Sequence, residues 1–78
     1  MAEFLLYGKH LKNWRDSKGR WREPDSTFRA LNANGVRVNR LVDAMSYATK
    51  EDAQAVIDKP GTRARIERGE VAFEIRRG

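Results

Sequence analysis

The 78-residue sequence predicts an α+β domain, a small antiparallel sheet of three to five strands with one short helix, about residues 50–58, packed on one face. Three observations carry that class. Thr49, followed three residues later by Asp52, makes a helix-capping pattern ahead of an apolar stripe formed by Ala53, Val56 and Ile57. From Thr62 to Arg76, apolar and charged side chains alternate with the period of half-buried strands. Two tetrapeptides, Asp16-Ser17-Lys18-Gly19 and Asn32-Ala33-Asn34-Gly35, have the composition of tight turns.

In chain order, Phe4-Leu5-Leu6-Tyr7 fits a buried strand, although Phe4, Tyr7, Leu11 and Trp14 also recur at helical spacing. Gly8 weighs against the helix, because an interior glycine costs about 1 kcal/mol relative to alanine. With residues 16–19 as the loop, a hairpin sets Arg15 opposite Arg20, Trp14 opposite Trp21 and Lys12 opposite Glu23. Asp25-Ser26 offers a helix cap, so a short helix or a strand follows around Thr27–Leu31. Val36, Val38 and Leu41-Val42 read as extended chain. Pro60-Gly61 ends the predicted helix. Arg68-Gly69 is the expected bend of a last hairpin, with Ile66 against Val71, Ala64 against Phe73 and Arg63 against Glu74.

A chain of this length fits one domain, and its core is necessarily small. There is no cysteine and only one histidine, so neither a disulfide nor a thiolate metal site supplements packing. Dimerisation would help. No apolar run approaches the roughly 18 residues of a membrane span, and the run at residues 4–7 is too short for a signal peptide. The expectation is a soluble, cytoplasmic protein without a cofactor.

Charge is unevenly placed. Residues 1–40 hold nine Lys or Arg against four acids, whereas residues 41–78 hold seven of each. The whole net charge of +5 can be assigned to residues 9–22, where Lys9, Lys12, Arg15, Lys18, Arg20 and Arg22 face only Asp16. Six cations in that span can neutralise several phosphates, and Trp14 and Trp21 offer faces on which bases stack. Against this, tryptophans in so small a chain are wanted in the core, and at least one of the two is expected there. His10, between Lys9 and Lys12, is expected to face solvent.

Catalysis is not expected. Ser17, Ser26 and Ser46 lack a triad context, and no phosphate loop or dinucleotide fingerprint runs through the isolated glycines.

Gly19-Arg20-Trp21 followed by Ser46-Tyr47-Ala48-Thr49-Lys50-Glu51-Asp52-Ala53 resembles a pattern in short phage and prophage proteins, a hairpin with a Gly-x-Trp turn preceding an aromatic residue and a Thr-Lys-Glu-x-Ala helix start. The resemblance implies a small phage-encoded protein of a class that binds nucleic acid or blocks a host or defence protein, as anti-CRISPR inhibitors do. It implies no functional residues. The expected function is non-catalytic binding of nucleic acid or a nucleoprotein complex by Lys9, Lys12, Trp14, Arg15, Lys18, Arg20, Trp21 and Arg22. The alternative is a protein-binding inhibitor that meets an acidic surface or uses an exposed strand edge near Val71–Ile75.

Overall fold

The computed structural model describes residues 3–78. A long strand, β1 (Phe4–His10), lies at the centre of a four-stranded antiparallel sheet. Two more strands, β2 (Trp14–Arg15) and β3 (Trp21–Arg22), form a separate hairpin. Then come β4 (Arg29–Ala30), a single 3-10 turn at Leu41–Asp43, and β5 (Ser46–Tyr47). Two helices, α1 (Lys50–Ile57) and α2 (Pro60–Glu67), precede the last strand, β6 (Val71–Arg77).

The fold is α+β, as the patterning indicates. Along one edge of β1, all seven residues pair with β6, from Phe4 opposite Arg77 to His10 opposite Val71. Along the other edge, two short strands share the length: β5 meets Phe4 and Leu5, and β4 meets Tyr7 and Gly8. Between them Leu31 joins the sheet through its amide, which donates to the Leu6 carbonyl.

The helices cover one face. Leu6, Leu31 and Ile57 form the buried cluster, with Tyr47, Val56, Ile66, Phe73 and Ile75 packed around it. The opposite face carries Tyr7, Lys9, Glu74 and Arg76, and cation stems rather than a second layer cover its aromatic rings. The Arg76 guanidinium lies 4.3 Å from the Tyr7 ring centre. No helix among the described residues is long and apolar enough to cross a membrane.

Helix α1 begins as its sequence requires, with Thr49 Oγ1 accepting the Asp52 amide at 3.1 Å. Helix α1 stops at Ile57, ahead of Pro60 as expected, but Pro60 then opens a second helix. Residues 62–67, expected as a strand, are helical, because proline at the first position has its φ preset and Gly69 provides the stop. With φ at 71°, Gly69 donates to the Ile66 carbonyl while Glu70 donates to that of Arg65, the two bonds of a Schellman cap. The two-residue spacing of Ala64 and Ile66 is the strand period, and the end signals at Pro60 and Gly69 override it. The pairings expected of Ile66, Ala64 and Arg63 with β6 are therefore absent. Gly69→Ala is expected to cost about 1–2 kcal/mol, the penalty of a left-handed alanine. Thermal melting should show a fall of roughly 4–16 °C.

Of the two alternatives after Asp25-Ser26, the strand is the one found: the chain bends at residues 26–27 and enters β4, so the pair caps no helix. One further expectation is corrected. Leu41 and Val42 lie in the 3-10 turn rather than in extended chain, and both are exposed.

Candidate functional site

Residues 14–22 form the expected hairpin in a different register. Trp14 lies opposite Arg22 and Arg15 opposite Trp21, one position from the pairing that the tetrapeptide loop implied. The cause is Gly19, whose φ of 78° inserts one extra left-handed residue after the turn, a bulge that shifts every later pairing by one. Asp16 fastens the loop. Its Oδ1 accepts the amides of Lys18 and Arg20 at 2.9 and 3.0 Å, and its Oδ2 accepts Arg20 Nε at 3.1 Å. The loop at Asn32–Val36 repeats the arrangement, with Asn32 Oδ1 accepting the amides of Asn34 and Val36. The register removes the like-charge pair: Arg15 meets Trp21, and Arg20 meets Asp16. The Asp16 carboxyl is held below the usual carboxylate range, chiefly by the Arg20 amide, against the opposing effect of burial.

Because side chains alternate across a strand, the hairpin has two unlike faces. One presents Trp14, Asp16, Arg20 and Arg22, with Arg22 3.8 Å from Asp16. The other presents Arg15 and Trp21, whose ring centre lies 4.9 Å from the Arg15 guanidinium. Trp21 is 64% exposed.

The hairpin borders an open groove of about 1000 Å³, closed on the far side by Arg29, Gly35, Val36, Arg37 and Asn39. Five arginines, at positions 15, 20, 22, 29 and 37, line it against three acids, Asp16, Glu23 and Asp25, so the groove is cationic. Arg29 is aimed by Asn39, whose Oδ1 accepts its Nη1 at 2.8 Å.

Asp25 latches the floor. Its side chain is 13% exposed; Oδ2 accepts the His10 amide at 2.7 Å and lies 3.1 Å from His10 Nδ1, and Oδ1 pairs with Arg37. His10 stacks on Trp14 at 4.1 Å, with the ring planes 7° apart, and the Arg37 guanidinium lies 4.4 Å from the Trp14 ring. Trp14 Nε1 donates to the Glu23 carbonyl at 3.1 Å. One carboxylate thus ties β1, the segment after β3 and the chain beyond the second loop around one indole. Burial alone would raise the Asp25 carboxyl, but the His10 amide, the His10 ring and Arg37 outweigh it and hold the group below its ordinary value.

Of the expected binding residues, Trp14, Arg15, Arg20, Trp21 and Arg22 line the groove. Lys9, Lys12 and Lys18 do not. Lys9 lies on the sheet face opposite the helices, its Nζ 4.8 Å from the Phe28 ring centre. Lys12 caps α2, donating to the Arg68 carbonyl at 2.9 Å, and borders a second cleft of about 510 Å³ with Arg15, Trp21, Arg65 and Glu70. Lys18 projects from the exposed loop tip. Neither tryptophan belongs to the buried core; Trp14 is half-buried and Trp21 open. His10 is half-buried against Asp25 and Trp14 rather than solvent-facing.

Arg29, Arg37 and Asp25 were not legible as site residues, because they lie outside the densest run of charge and join it only through the latch and the second loop. The two Asx-x-x-Gly loops were the available signal. No cluster of three or more His, Asp or Glu side chains suited to a metal ion occurs among the described residues. The chain matches no protein-family model, no curated protein and no solved structure.

Proposed function

We propose that the arginine-lined groove binds nucleic acid without catalysing a reaction, alone or within a nucleoprotein complex. Arg15, Arg20, Arg22 and Arg29 contact phosphates, and Trp21 stacks on a base. The observation carrying this reading is the exposure of Trp21 at the groove rim, beside Arg15. A large apolar ring left in water contributes nothing to the core and suits a planar ligand. Asp16 and Asp25 neutralise part of the arginine charge, so affinity is expected to fall with salt according to the phosphates engaged.

Fluorescence anisotropy of labelled single-stranded DNA and RNA at two ionic strengths tests the proposal. Trp21→Ala should weaken binding by about 1–3 kcal/mol, roughly 5- to 150-fold, with the melting temperature unchanged. Absence of binding at low salt would overturn it.

The second reading is a protein-directed inhibitor, favoured by exposed Leu41, Val42 and Met45 around the 3-10 turn. A partner retained after nuclease treatment and lost with Val42→Asp would support that reading over the first.

A further inference from the structure

Strand β6 has a neighbour on one side only, and its free edge can be read from the hydrogen-bond parity. The Leu11 amide donates to the Glu70 carbonyl, and the Gly78 amide donates to the Glu3 carbonyl. Both bonds belong to the ladder that continues the β1–β6 register, so hydrogen-bonded pairs recur at every second residue, including Tyr7–Glu74 and Leu5–Arg76. The even-numbered residues of β6 therefore face β1, and the main-chain groups of Phe73, Ile75 and Arg77 point outward. Among the described residues nothing is hydrogen-bonded to those outward groups.

The strand is long, regular and free of proline, and of the usual devices that blunt an edge it carries only charged side chains. Those charges select a register. We propose that β6 pairs antiparallel with β6 of a second copy about a two-fold axis at Ile75, joining the two sheets into one. With Ile75 opposite its counterpart, Phe73 lies opposite Arg77, and all these residues have their main-chain groups facing the partner. Glu74 of each copy then lies opposite Arg76 of the other.

Neighbouring registers are poorer. Moving the axis to Glu74 sets the two carboxylates directly opposite each other, and moving it to Phe73 leaves Arg76 and Arg77 beyond the paired strand. Glu74 and Arg76 already share the face opposite the helices, where Arg76 Nη2 lies 2.8 Å from Glu74 Oε2. Pairing turns this local contact into a four-charge cluster across the axis. The helices lie on the other face and the groove at the far end of β1, so the interface is independent of nucleic-acid binding.

Sedimentation equilibrium of the nucleic-acid-free protein tests the proposal. The wild type should be a concentration-dependent dimer. Glu74→Arg and Arg76→Glu should each weaken the dimer by on the order of tenfold or more, because two attractive cross-strand pairs become repulsive. Mixing these two variants in equal amounts should restore it, since every opposed pair then unites opposite signs. Arg77→Pro, which removes an outward amide and leaves the bonds to β1, should also yield monomer. A wild type monomeric up to its solubility limit, single variants that dimerise undiminished, or a mixture that remains monomeric would each overturn the proposal.

Discussion

Asp25→Ala is expected to lower the melting temperature by roughly 10–20 °C. Leaving the charged and polar partners of a mostly buried carboxylate unpaired costs about 2–3 kcal/mol, and melting temperature depends steeply on free energy in a domain this small. The partners left behind are the His10 amide and ring and the Arg37 guanidinium. Differential scanning calorimetry checks the magnitude, and pH dependence separates charge from shape. The folded Asp25 carboxyl lies below its ordinary value of 3.8, so its contribution is complete above that value. It is lost as pH falls through the depressed value. Asp25→Asn should therefore melt well below the wild type at neutral pH, and the difference should narrow on acidification below about 4. A constant difference from neutral to strongly acid pH would assign the effect to packing.

Leu6→Ala should be more damaging still. Leu6 is 2% exposed and forms the buried cluster with Leu31 and Ile57, between the sheet and α1. Losing a buried leucine side chain typically costs about 2–5 kcal/mol, comparable to the roughly 3–5 kcal/mol that one core supplies in a domain of this size. The variant is expected to be largely unfolded at 37 °C, with circular dichroism lacking a cooperative melt. Leu5→Ala is not an equivalent test, because Leu5 points to the opposite sheet face.

The sequence carries local features of this fold more clearly than it carries distant pairings. The Thr49 cap is legible because donor and acceptor lie three residues apart. The hairpin at residues 14–22 is legible as an element, but its register turns on whether Gly19 ends a four-residue turn or adds a bulge, and composition is the same for both. Ala64 and Ile66 follow the strand period, so α2 emerges only when Pro60 and Gly69 are taken together as its two ends. The cationic character of residues 9–22 is visible in the chain, yet the groove draws in Arg29 and Arg37 and excludes Lys9 and Lys12. That selection depends on Asp25, whose three contacts come from sequence-distant groups. Trp14 and Trp21 differ for a similar reason: one faces the latch and the other faces solvent, as strand alternation requires once the register is known.

The pairing of β1 with β6 also orders events during folding. The hairpin at residues 14–22 closes a short loop, for which the entropy cost is small and the timescale about 1–10 microseconds. The central strand cannot gain its long partner until the two helices and β6 have come back across nearly the whole chain. Contacts of such high sequence separation slow collapse into the native sheet. Loop closure therefore favours the cationic hairpin over the β1–β6 pairing as the earlier event.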